Sequence, residues 1–170
     1  DAAELFARGE IGERVGWSAS YAYSASRDRI AARWRPRAFD ETHAVKLDFD
    51  WRVSERTRAN FAWRGHSGWP TTRIGLATTI DDDGEVEFEP LLGPLHGERL
   101  PPYHRLDLRL SRTAVWRGVD VLLFVDAQNV YHRRNIAGYD VSIDEDQGVL
   151  VRRPELGAGI LPSFGIRFEF

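Results

Sequence analysis

Residues 101–112, PPYHRLDLRLSR, place a charge at nearly every second position inside an apolar run. Arg105, Asp107 and Arg109 fall on one side of an extended chain, and Leu106, Leu108 and Leu110 on the other. Side chains alternate across a strand with a period of two. The segment therefore reads as a strand that is oily on one face and ionic on the other. A pairing slip of one residue would turn the whole oily set to the wrong side. Few sequence features restrict a fold as strongly.

The pattern recurs along the chain. Val15, Trp17, Ala19, Tyr21 and Tyr23 alternate with small and polar residues. Val45, Leu47, Phe49, Trp51 and Val53 alternate with Lys46, Asp48, Asp50 and Arg52. Phe61 and Trp63 alternate with Asn60, Ala62 and Arg64, and Phe164, Ile166, Phe168 and Phe170 with Ser163, Gly165, Arg167 and Glu169. The segment from Val119 is the least clean, because Leu122 and Phe124 share the side of Asp120, Asp126 and Gln128. No amphipathic helix of useful length appears, so period-two strands dominate and the chain is expected to be all-β.

The strand connections alternate in length. SERT (54–57) and TAVWRG (113–118) are short, whereas 27–42, 67–102 and 132–159 are long. That is the layout of an antiparallel up-and-down transmembrane β-barrel, with short periplasmic turns and long extracellular loops. Residues 138–151 are expected to form a hairpin of their own within a long loop. No run approaches the ~18 apolar residues of a transmembrane helix, but barrel strands need no such run. The aromatic residues Trp17, Tyr21, Tyr23, Trp51 and Trp63 suit a membrane interface and would be an aggregation hazard in water. A soluble sandwich or calycin-like barrel is the alternative.

Composition removes several chemistries. The formal net charge of −3 gives no nucleic-acid footprint. Cysteine is absent, which excludes disulfides, thiol catalysis and Cys-type zinc sites. The sequence has no methionine and opens on no signal-peptide pattern, so it is expected to be a piece of a longer protein. Residues 1–8 read as the end of a further strand. His43, His66, His96, His104 and His132 all fall toward the long-loop ends, but alternation splits them between faces, so no metal site is expected. DDDG (81–84) and DEDQG (144–148) lack the ligand spacing of an EF-hand and suit acidic turns. No G-x-S-x-G elbow occurs. No catalytic residues, enzyme activity or cofactor are expected. The ionic face, with Lys46, Asp48, Asp50, Arg52, Arg64, Arg105, Asp107, Arg109, Arg167 and Glu169, is expected to be mostly paired ions around water. Ligand contact is expected near the mouth, at His66, Trp69 and Tyr139.

The last segment, PSFGIRFEF, resembles the carboxy-terminal strand of outer-membrane proteins, which the barrel-assembly machinery reads. ERLPPYHRLDLRLSR and LLFVDAQNVYHRRN look like the last two full strands before it in TonB-dependent outer-membrane receptors. RAFDETHAVKLDFDWRV followed by FAWRGHSGWPTT is similar to the preceding hairpin of that family. The resemblance implies a 22-stranded barrel in the outer membrane of a Gram-negative cell, with an N-terminal plug and a TonB box. It implies import of a scarce ligand, such as a siderophore, cobalamin or a glycan. Residues 1–170 would be the C-terminal portion of the barrel domain, with six full strands and the end of a seventh. The implied partners are the lipid bilayer, the assembly machinery, the imported ligand, and the plug and TonB complex through an N-terminal part not in this chain. Phe164, Ile166, Phe168 and Phe170 would carry the assembly signal. A small autonomous outer-membrane barrel with a structural or adhesive role is the alternative, and a soluble β-barrel binder a third.

Charge also suggests register. Opposite charges across a sheet contribute roughly 0.2–1 kcal/mol and like charges oppose pairing by a similar amount. The hairpin around SERT is therefore expected to set Asp48 opposite Arg64, Arg52 opposite Asn60 and Val53 opposite Ala59. The next hairpin is expected to set Arg105 opposite Asp126 and Ser111 opposite Asp120. Deleting Phe170 in the parent protein is expected to lower its outer-membrane level sharply, as read by fractionation and immunoblot. An unchanged level would reduce Phe170 to ordinary wall packing.

Overall fold

The computed structural model describes residues 1–80 and 83–169. The strands are β1 (Ala2–Ile11), β2 (Val15–Ser24), β3 (Arg27–Ile30), β4 (Arg33–Pro36), β5 (His43–Ser54), β6 (Thr57–His66), β7 (Pro70–Thr71) and β8 (Ile74–Ile80). They continue as β9 (Val86–Leu92), β10 (Glu98–Arg99), β11 (Tyr103–Trp116), β12 (Val119–Gln128), β13 (Ile136–Asp144), β14 (Val149–Leu156) and β15 (Leu161–Glu169). The described residues form no helix, and the fold is all-β with antiparallel pairing throughout.

One seven-stranded sheet dominates, in the order β1-β2-β5-β6-β11-β12-β15. Each strand pairs with the next large strand along the chain, which makes the sheet a meander. Residues 12–14, 55–56 and 117–118 turn the chain at one end. At the other end the long connections 25–42, 67–102 and 129–160 carry the hairpins β3–β4, β8–β9 and β13–β14 and the two-residue ladder β7–β10. The sorting of short turns from long loops is as expected, and so is a hairpin around 138–151, although it extends further, from Ile136 to Leu156. The first strand is longer than expected: β1 pairs with β2 from Ala2–Ser24 to Ile11–Val15, so there are seven full strands. Among the described residues β1 and β15 pair with nothing on their outer sides, and the sheet is open.

Every pairing in this sheet keeps the two alternating sets apart. Leu5, Tyr21, Val45 and Gly65 lie in one row of the apolar face, and Leu47, Trp63 and Leu106 in the next. Leu108, Ala127 and Pro162 continue that face to the far edge. Among the described residues Arg112 is the one Arg, Lys, Asp or Glu on it, level with Thr57 beside the 55–56 turn. The opposite face collects Arg8, Asp48, Asp50, Arg64, Arg105, Asp107, Arg109, Asp126, Arg167 and Glu169. Neither face is packed into a core. The buried hydrophobic residues are Ala62, Leu100 and Val121. The accessible surface is 12518 Å² for a 19.4 kDa chain, against about 8,500 Å² for a compact monomer of that mass.

The irregular strand β12 has a local explanation. Phe124 stands on the ionic face because it covers Gly165 of β15, where an added Cβ would lie 2.3 Å from the Phe124 ring. The Arg109 guanidinium also lies over that ring, 4.3 Å from its centroid. The aromatic ring fills the gap that glycine leaves in the neighbouring strand.

The expected registers are not those observed. In the β5–β6 hairpin Lys46 faces Arg64, Asp48 faces Ala62 and Arg52 faces Arg58. The turn consists of Glu55 and Arg56, neither at positive φ, with the Arg56 amide donating to Ser54 Oγ at 3.3 Å. A turn of that kind splays the strands. A bulge between Arg52 and Ser54 takes up the mismatch and sets the register. On a wet face the charge terms are too small to override it. In the β11–β12 hairpin Arg109, not Arg105, faces Asp126, and Val115, not Ser111, faces Asp120. β11 runs on to Trp116, and the connection shrinks to Arg117 and Gly118, at φ 55° and 83°. Two left-handed residues make the primed turn that matches strand twist. Charge pairing is still satisfied there, with Arg109 Nη1 3.4 Å from Asp126 Oδ2.

That turn is testable. Arg117→Asn suits a left-handed residue better and is expected to stabilise by a few tenths of a kcal/mol. Gly118→Val is expected to destabilise by about 1–2 kcal/mol. Urea unfolding of the protein measures both, and equal effects of the two variants would rule out a left-handed turn.

Candidate functional site

The ionic face and the long connections meet at one end of the sheet. His66, the last residue of β6, stacks on Tyr103, the first of β11, with centroids 4.8 Å apart and an interplanar angle of 15°. Its other neighbour is Trp69, at 5.6 Å and 24°. Phe39 meets Trp69 edge-on. Trp69 Nε1 donates to Glu41 Oε1 at 3.1 Å, and His66 Nδ1 lies 3.6 Å from the same oxygen while bonding the Ser67 carbonyl at 2.9 Å.

Two hollows flank this stack. An apolar one of about 100 Å³ lies between His66, Trp69, Leu100, Pro101, Tyr103 and the base of the β13–β14 hairpin at Ile136 and Ala137. A larger groove of about 370 Å³ opens on the ionic face, lined by Glu41, Lys46, Arg64, His66, Trp69, Tyr103 and Arg105. Of the expected mouth residues, His66 and Trp69 therefore come together. Tyr139 does not join them: it sits within β13, opposite Pro154, with the Arg152 guanidinium 3.6 Å from its ring centroid.

The loops are held over this end by polar clasps that the sequence did not reveal. Asp40 is 4% exposed. It accepts from the Ser26 amide at 2.6 Å, the Thr42 hydroxyl at 3.0 Å and Arg99 Nη2 at 2.5 Å. Arg99 also donates to the carbonyls of Asp40 and Gly68. The first and second long connections are thereby tied together. Burial alone would raise the Asp40 pKa, but the Ser26 amide, Arg99 and Thr42 outweigh it and hold the carboxyl below its ordinary value. Gly68 is packed so that a Cβ would fall 1.6 Å from the Leu100 carbonyl oxygen. The third connection is pinned by Asn129, in the left-handed region at φ 54°. Its Nδ2 donates to the carbonyls of Arg133 and Ala158, and its amide donates to Asp107 Oδ1. Asn135 brackets His104, accepting from its amide and donating to its carbonyl.

The ionic face is paired only in part. Arg105 Nε is 3.1 Å from Asp107 Oδ2 without hydrogen-bond geometry, and Arg167 Nη2 is 2.6 Å from Glu169 Oε1. Lys46 and Arg64 have no ion-pair partner among the described residues, although a wall of paired ions was expected. Each histidine has its own local partner: Tyr21 for His43, Tyr131 for His104, the Pro36 carbonyl for His96 and the Ile160 amide for His132. Asp144 accepts from the Gln147 amide at 3.1 Å, as an acidic turn-former does. In the DDDG run Asp81 and Asp82 lie outside the described residues, as does Phe170.

No protein-family model, curated protein or solved structure matches the chain.

Asp40→Asn is expected to destabilise the loop end by about 2 kcal/mol, less than a fully buried pair because the Arg99 side chain stays 34% exposed. Because the folded pKa of Asp40 is lowered, its contribution is complete above the ordinary carboxylate value of about 3.9 and is lost only as pH falls through the lowered one. Hydrogen exchange at the Ser26 amide should stay slow at pH 5 in the parent and be fast in Asp40→Asn. Equal protection in both would remove the clasp.

Proposed function

We propose that the chain forms part of the wall of an outer-membrane β-barrel of the TonB-dependent receptor type and so serves ligand import. The observation that carries this reading is the apolar face, uncovered within the chain and bearing Arg112 as its one Arg, Lys, Asp or Glu among the described residues. In water such a face is a liability; in lipid it is the solvated side. From His104 to Trp116 it runs about 40 Å at ~3.3 Å per residue, or about 30 Å across the bilayer at a tilt of ~40°, enough for an apolar band of ~25 Å. Amphipathic rings bound it at both ends. At the long-loop end Tyr21 Oη bonds His43 and Tyr131 Oη bonds His104, which stacks on Trp63. At the short-turn end stand Trp51 and Trp116, the latter under the Arg117 guanidinium. Rings with polar tips settle at membrane interfaces.

In this reading the ionic face lines a wet lumen, where a plug domain would sit, and the long connections form part of an extracellular mouth. Unpaired backbone is untenable in lipid, so the open edges of β1 and β15 are where the wall continues. A small self-closing barrel would need β1 hydrogen-bonded to β15, and the described residues make no such pairing. Phe164 and Ile166, 86% and 59% exposed on the apolar face, suit the assembly signal proposed for the last strand.

Nitroxide labels at Leu108 and Arg109 of the full-length protein in liposomes test the reading. Position 108 should be quenched by a lipid-soluble relaxant and 109 by an aqueous one. The reverse pattern, or recovery of the protein away from the outer membrane, would end it.

A further inference from the structure

We infer that the groove beneath the aromatic stack is a binding site for a small planar polycarboxylate, an inference that rests on the wall reading because it takes the ionic face as open to solutes. Lys46 faces Arg64 across β5–β6, and Arg64 faces Arg105 across β6–β11. Three cations thus stand side by side on three adjacent strands. Directly opposed side chains in a sheet are near neighbours, and like charges there oppose pairing. Some cations of this face have an acid opposite, as Arg109 has Asp126. A like-charged pair also stands beside the short turn, Arg52 opposite Arg58, but among the described residues only the Lys46–Arg64–Arg105 row carries three cations and borders the groove. Arg105 has Asp107 and Gln128 beside it, but Lys46 and Arg64 have no ion-pair partner among the described residues. The one acid lining the groove is Glu41, and it is engaged by Trp69 and His66. The lining is therefore net positive and short of acceptors.

The upper wall of the same groove supplies flat surface. His66 lies near-parallel to Tyr103 and Trp69, and all three line the groove. The volume of about 370 Å³ is that of a small-molecule site. Arg64 and Arg105 present planar forks that match carboxylates in pairs of hydrogen bonds, and Lys46 adds a mobile point charge. A ligand with carboxylates disposed around a ring meets both features at once, relieving the repulsion in the row while its ring lies against the aromatic residues. A neutral ligand would leave the row as it is.

The test uses the full-length protein in detergent and benzene-1,3,5-tricarboxylate as the probe, followed by calorimetry and tryptophan fluorescence. Saturable binding is expected, weakened about tenfold by Arg64→Gln or by Lys46→Gln and weakened further by salt. Asp120→Asn, at the far end of the sheet, should bind as the parent does. Glutamine keeps the stem and the polarity on a wet face, and circular dichroism confirms that each variant folds. A folded protein that ignores the probe, whether because its own carboxylates fill the row or because the groove is closed, overturns the inference. So does equal binding of the uncharged benzene-1,3,5-tricarboxamide, or binding that neither glutamine variant weakens. Fractionation separates the two readings. Charge-dependent binding by a protein found outside the outer membrane supports the site and overturns the wall; an outer-membrane protein that fails the titration does the opposite.

Discussion

The backbone ladder of the seven-stranded sheet is what the rest of the molecule depends on. Among the described residues Ala62, Leu100 and Val121 are the buried hydrophobic ones, too few to dictate where side chains go. The hydrogen-bonded pairing does so instead. Each of the six pairings preserves the alternation, so that odd positions of β5 meet odd positions of β2 and β6, and the oily set never crosses to the ionic side. Even the bulge in β5 lies beyond Arg52, next to the turn, where it displaces Val53 without disturbing the rows above. A bulge in mid-strand would have reversed the faces for the remainder of that strand.

The two ends of the sheet are built on different physics. At the short-turn end local backbone geometry rules. Arg117 and Gly118 take left-handed conformations so that the turn follows the strand twist, and Glu55–Arg56 uses a bulge for the same purpose. At the other end the connections are too long for local rules, and buried polar groups hold them. Asp40 and Arg99 join two connections across 59 positions of sequence, and Asn129 closes the third upon itself and upon Asp107. Such groups are stable out of water only when their hydrogen bonds are filled, and here the carbonyls of Asp40, Gly68, Arg133 and Ala158 fill them.

That division explains what could be read from the sequence. The strands of the main sheet, their alternating faces and the segregation of short from long connections follow from alternation and turn residues, which are local, and they agree with the structure; the hairpins β3–β4 and β8–β9 inside the long connections were not expected. Register departs from expectation in both hairpins, because charge complementarity, a term of roughly 0.2–1 kcal/mol, competes there with the geometry of an entire turn. Phe124 makes the alternation of β12 unclean, and its reason, Gly165, lies on another strand. His66 and Trp69, expected near one another at the long-loop end, do come together there, at and just past the end of β6. The Asp40–Arg99 clasp was not legible, since nothing near Asp40 in sequence announces a partner so distant. A faint signal existed at Asn129, a residue tolerant of left-handed backbone that directly follows the apolar run of β12.

Arg112 and the row Lys46–Arg64–Arg105 are the same chemistry in opposite surroundings. In the proposed wall a cation on the lipid side is confined by depth: at the bilayer midplane it costs about 2–4 kcal/mol, near the interface about 0–1. Arg112 stands level with Thr57, beside the 55–56 turn, where its long side chain can reach the aqueous boundary. In that reading its position follows from its depth in the lipid. The three cations of the ionic face are under no such constraint, because water screens them wherever they stand. The register that opposes Lys46 to Arg64 also opposes Arg52 to Arg58, so the turn accounts for like charges meeting at both places. What distinguishes the Lys46–Arg64–Arg105 row is its place under an aromatic stack and beside a groove, where the proposed ligand would meet it.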